Sequence, residues 1–188
     1  MDRTSRLLFI LLRAGLGTSA AADVGQLVRL APAPAEWEAL AALASAQGLL
    51  AIVWDGLQRL DSGRFAAELP RDLRLRWGLN VRYIEERWER QRRVVSDLAR
   101  FFARHGLEMM VLKGCGLSIC YPVPEHRPCG DIDIWMCGRQ READELLRRE
   151  KSLDIDTGKH HHTVFTIDGI SVENHYDFLN VQSHKSNR

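Results

Sequence analysis

Apolar residues recur at helical spacing through most of the first hundred positions and at strand spacing after them. Leu7 to Leu12 predict a helix over 5–13, ended by Gly15 and Gly17. Asp23 is placed to cap a second helix through about Leu30, stopped by Pro32 and Pro34. Glu36 to Gln47 predicts a third helix, with Gly48 in the closing position, and Leu49 to Leu60 a fourth before an Asp61-Ser62-Gly63 turn. Pro70 opens the longest helix, which runs to about Arg104 and is ended by His105-Gly106. Trp77, Val81, Ile84, Trp88, Val95, Leu98 and Phe102 share one of its faces.

Beyond Gly106 the period shortens. Met109 to Leu112 predicts a first strand, Gly116 to Cys120 little more than one helical turn, and Tyr121 to Pro128 an ordered loop held by three prolines. Asp131 to Met136 predicts a second strand and Arg139 to Lys151 a helix packed on the sheet. Asp168-Gly169, between two alternating runs, is a two-residue hairpin signal. That turn fixes the register, pairing Ile167 with Ile170, Phe165 with Val172, Val164 with Glu173 and His162 with His175. Phe165, Ile167, Ile170 and Val172 then face a core. His162, Val164, Thr166, Ser171, Glu173 and His175 take the other face.

Composition adds bounds. The 188 residues suit one domain, or a small domain with a helical extension. A net charge of +1 gives no global argument for nucleic acid or a membrane. Cys115, Cys120, Cys129 and Cys137 contain no CxxC pair, which favours a reduced, cytoplasmic protein over a disulfide scaffold or zinc ribbon. The first residues faintly resemble a secretory leader, but Arg13 interrupts the apolar run and an amphipathic helix explains them better. No run approaches the roughly 20 residues of a membrane span.

The chemistry gathers at Val111-Leu112-Lys113-Gly114 and at Arg127-Pro128-Cys129-Gly130-Asp131-Ile132-Asp133-Ile134. Asp131 and Asp133, two apart on a strand, point to one face while Ile132 and Ile134 are buried on the other. Two carboxylates so close repel unless a proton or cation intervenes, and Mg2+, which shares oxygen ligands with phosphates, suits the place. Gly114 lets the backbone approach a phosphate. Lys113 either reaches a phosphate or stays a solvated strand-end lysine. Arg127 is placed to offer a bidentate fork to a triphosphate or to Glu125.

These residues, with Tyr121-Pro122 between them, resemble the nucleotidyltransferase superfamily typified by DNA polymerase beta. More closely they resemble a bacterial family of uncharacterised nucleotidyltransferases with a helical N-terminal region. The motif core covers about residues 108–178. Cys115 stands where a serine or second glycine is usual, and the gap from Gly114 to Asp131 is long. The resemblance implies an α+β fold, with a helical region over 1–105 and a nucleotidyltransferase core over 106–188, shortened at its C-terminal end. It implies transfer of a nucleoside monophosphate from an NTP to an acceptor that is a protein, an RNA or a small molecule, with Mg2+ or Mn2+. Asp131, Asp133 and Glu173 become the metal-binding catalytic carboxylates, and Lys113, Gly114, Arg127 and Gly130 the nucleotide-binding set. A non-catalytic nucleotide-binding or partner-binding module is the alternative. Neither the oligomeric state nor the NTP is specified.

Two features invite other readings. His160-His161-His162 cannot all face one ion on a strand, so His162 with His175 is the pair that the register brings together. That pair tunes a metal site or contacts phosphate; otherwise it belongs to a polar edge strand. Residues 71–104 hold ten arginines against five acidic residues, a basic wall for a polyanion or a solvated face laced with ion pairs.

Overall fold

The computed structural model describes residues 1–19, 21–60 and 69–177. The turn expected at Asp61-Ser62-Gly63 lies outside the described residues. Seven α-helices and one four-stranded mixed sheet make an α+β protein among the described residues. In order these are α1 (Arg3–Gly15), α2 (Ala21–Leu30), α3 (Pro34–Ala46), α4 (Leu50–Leu60), α5 (Arg71–Arg104), β1 (Met110–Val111), α6 (Cys115–Ser118), β2 (Ile132–Trp135), α7 (Gln140–Lys151), β3 (His162–Ile167) and β4 (Ile170–His175). A single 3₁₀ turn, Pro124–His126, interrupts the proline-rich loop. No helix among the described residues is long and apolar enough to cross a membrane.

The chain divides into two compact units, Met1–Arg87 with Ser118–Pro128, and Trp88–Leu117 with the chain from Cys129 on. The first is helical. Leu7, Leu11, Trp37, Leu40, Leu57 and Trp77 close its core, and the Trp77 indole donates to the Leu50 carbonyl at 3.0 Å. Two glycines let α1 and α4 touch backbone to backbone: a Cβ on Gly56 would stand 2.0 Å from the Leu11 oxygen, and one on Gly15 2.1 Å from the Ile52 oxygen. Asp23 sits in the first turn of α2 and not at its cap, because its buried carboxylate receives the Arg13 guanidinium. Within this unit His126 is clamped between Asp55 at 2.8 Å and Glu85 at 3.0 Å. Burial works against charging that imidazole, but the two hydrogen-bonded carboxylates outweigh it and raise its pKa above the ordinary value.

The second unit holds the sheet, in the order β1-β2-β4-β3, with β2 and β4 parallel and the other pairs antiparallel. The hairpin register is the one expected, residue for residue, from Ile167 opposite Ile170 to His162 opposite His175. Asp168 and Gly169 adopt the left-handed φ values of 51° and 74° that such a turn requires. Ile132, Ile134, Phe165, Ile170 and Val172 form one core with Val94, Leu98, Phe101 and Phe102 of α5 and Ala143, Leu146 and Leu147 of α7.

The buried stripe of α5 departs from the expected one from Ile84 onward. Gln91, Val94, Leu98, Phe101 and Phe102 are buried there, while Ile84, Trp88 and Val95 are only half-buried. A straight helix drifts about 20° per heptad against a strict seven-residue repeat, so over 34 residues the inward face rotates. Its arginines are laced into pairs, among them Arg82 with Glu85 and Glu86, Arg93 with Glu89 and Arg100 with Asp97. That is the pattern of a solvated face.

Candidate active site

β2 and β4 place the acidic residues. Their parallel register sets Asp133 directly opposite Glu173 and Trp135 opposite His175. Ile132 and Ile134 point the other way and are fully buried, which turns Asp133 to the face that α7 leaves open. Asp131 precedes the strand by one residue on the same side. Ligand atoms of Asp131, Asp133 and Glu173 all lie within 4.8 Å of one another.

Asp133 is the centre of this group. Its side chain is 1% exposed, yet it carries a full ion-pair environment on only one oxygen. Oδ1 accepts from His175 Nε2 at 2.8 Å and from Lys113 Nζ at 3.0 Å. Oδ2 is buried and has no hydrogen-bond partner among the described residues. A buried acceptor left without a partner costs about 1–3 kcal/mol. A divalent cation shared with Asp131 and Glu173 is the kind of partner that removes this cost, so the donor set fits a hard metal ion. Lys113 lies 58% exposed, and its hydrogen bond to Asp133 raises its pKa above the ordinary lysine value.

Gly114 lies in the turn between β1 and α6, with φ at 58°. A Cβ there would lie 3.3 Å from the Asp131 carbonyl and 4.0 Å from Asp133 Oδ2. The missing side chain therefore leaves open the space beside the unanswered oxygen. Leu112 N–H donates to the Asp133 carbonyl at 3.0 Å, which ties this corner to β2. Cys115, next along, has its thiol pushed up to about 11 by burial and remains protonated at neutral pH.

Gly130 is exposed and precedes Asp131. The segment is fastened by Gln91 of α5, whose Nε2 donates to the Cys129 carbonyl at 3.2 Å and to the Gly130 carbonyl at 3.4 Å. The sequence reading passed over this fully buried glutamine. Its signal was there: a lone amide three residues after Trp88 and four before Val95, on the apolar stripe. Arg127 belongs to the other unit, with its guanidinium 5.6 Å over the Tyr121 ring. His162 and His175 face each other with ring centroids 5.2 Å apart. His160 and His161 precede β3 and are exposed.

Fold and site together define an α+β protein with an acidic cluster on the open face of a small mixed sheet. The chain belongs to a family described as uncharacterised nucleotidyltransferase, whose model matches residues 33–188. No curated protein and no solved structure matches it.

Proposed function

We propose that this chain moves a nucleoside monophosphate from an NTP to an acceptor nucleophile, with Mg2+ or Mn2+ held by Asp131, Asp133 and Glu173. The observation that carries the reading is the buried, unanswered Asp133 Oδ2 within a three-carboxylate cluster, beside the space that Gly114 keeps clear. Family membership supports the reaction class. In the transfer, the acceptor oxygen or nitrogen forms a bond to the α-phosphorus, and the bond from that phosphorus to the bridging oxygen of pyrophosphate breaks. When bound, the divalent cation neutralises charge gathering on the entering and leaving oxygens.

The protein's own groups do the rest. His175 and Lys113 hold Asp133 Oδ1, which fixes the carboxylate and leaves Oδ2 beside Gly114. Glu173, half-buried opposite Asp133, is placed to take the acceptor proton. Gly114 and the exposed Gly130 give a phosphate close approach to backbone, and Lys113, whose side chain is more than half exposed, supplies positive charge beside it.

The non-catalytic alternative has one observation on its side: an ammonium and an imidazole already share Asp133 Oδ1. One experiment separates the two. The protein is incubated with each α-labelled NTP, Mg2+ or Mn2+ and a cell extract. Transfer predicts label on a macromolecule or metabolite, lost by about a hundredfold or more in Asp133→Ala, since even outer-shell partners of a metal are worth 10–100-fold. Undiminished labelling in Asp133→Ala removes the catalytic assignment. Tight NTP binding without labelling favours the module.

A further inference from the structure

The hairpin face that delivers Glu173 carries a second ligand set of different chemistry. His162 and His175 are directly opposite on β3 and β4, and Glu173 lies two residues before His175 on the same face. Ligand atoms of the three all lie within 4.8 Å of one another. Glu173 faces both imidazoles, His162 Nε2 at 3.6 Å from Oε1 and His175 Nε2 at 3.5 Å from Oε2. These separations are at or beyond the limit of a hydrogen bond. Glu173 turns a different oxygen to each imidazole, and each gap is one that metal–ligand bonds of about 2.1 Å can span. The side chains are 21%, 22% and 18% exposed, covered enough to be held in place and open enough to admit an ion.

We propose that His162, Glu173 and His175 form a site for a transition cation of the Zn2+ class, next to the all-oxygen cluster of Asp131 and Asp133 and sharing only Glu173 with it. Two imidazoles and one carboxylate select against Mg2+, which prefers an all-oxygen shell, and favour Zn2+ or Fe2+. To bind, His175 takes the Nδ1–H tautomer and presents the Nε2 lone pair, giving up its 2.8 Å contact with Asp133 Oδ1 while Lys113 keeps its own at 3.0 Å. A cation at the imidazoles thus releases one of the two groups that hold Asp133. The site stands on geometry alone and does not depend on nucleotidyl transfer.

The test is metal binding to the apo protein without nucleotide. Zn2+ is titrated calorimetrically in excess Mg2+, and Co2+ is added as a spectroscopic stand-in. The expected result is one Zn2+ retained against Mg2+ and the strong visible bands of four- or five-coordinate Co2+. His162→Ala should weaken Zn2+ tenfold or more, since even outer-shell changes cost that much. His162→Gln keeps a polar side chain on the strand and should show the same loss, so misfolding cannot account for it. Unchanged Zn2+ affinity in either His162 variant overturns the proposal, as does complete displacement by Mg2+. Because no nucleotide is present, an inactive protein can still bind Zn2+, and a Mg2+-dependent transferase that holds no Zn2+ retains its activity while this site is refuted.

Discussion

Asp133 and Asp144 are both buried carboxylates of the same unit, on opposite sides of the same sheet, and the fold answers them differently. Asp144, on α7, accepts from Thr163 Oγ1 at 3.1 Å and from Asn174 Nδ2 at 2.9 Å, so neutral donors from β3 and β4 tie the helix to the hairpin. Asp133 meets charged or ionisable partners on one oxygen and none on the other among the described residues. Adjacent residues of β4 serve the two sides, Asn174 the helix-covered face and Glu173 the open one. The first carboxylate joins elements together. The second is held in a state that folding alone does not reward.

The comparison can be broken at several points. The largest stability effect is expected from Asp144→Ala, which leaves the Thr163 hydroxyl and an Asn174 N–H without their acceptor. A loss of about 1–3 kcal/mol in chemical denaturation is the expected cost of such orphaned groups. Asp133→Asn goes the other way. The amide keeps an oxygen for His175 and Lys113 and removes a buried charge, so stability should hold or rise by up to about 1 kcal/mol while metal-dependent labelling fails. If the Asp133 variant unfolds more readily than the Asp144 variant, the contrast between them is wrong.

The smallest effect is a pH slope. Burial, only partly offset by the bonds from Asn174 and Thr163, raises the Asp144 pKa above its ordinary 3.8. The folded state then binds its proton more tightly than the unfolded chain. Stability from this group is present below 3.8 and is lost as pH rises through the raised value. Thermal melts across acidic pH should show that fall, and Asp144→Asn should flatten it. A slope unchanged by Asp144→Asn assigns the acid response to other groups.

Much of the framework was legible in short windows of sequence. Asp168-Gly169 between alternating runs gave the register of β3 and β4 because turn chemistry and side-chain alternation are local rules. The same alternation put Ile132 and Ile134 inward and the two aspartates on one face. The helices fell where Gly and Pro allow them to start and stop, with α5 drifting where a strict heptad does not hold. Other features had no local signature. The clamp of His126 by Asp55 and Glu85 joins positions 71 and 41 residues apart. The grip of Gln91 on Cys129 and Gly130 depends on which helix face turns inward after a rotation that no short window specifies.

By itself, then, the sequence determined the elements, the hairpin pairing, and which residue types were offered for chemistry: two aspartates, a glutamate, a glycine and a lysine in a recognisable order. Only the tertiary structure decided that β4 lies beside β2, which sets Glu173 against Asp133 across 40 positions of chain. It also decided that one Asp133 oxygen is paired and the other left unanswered. The physical reason is range. Periodicity and turn conformation are settled by neighbours in the chain, whereas burial and the partners of a charge are settled by whichever surfaces the closed core brings together.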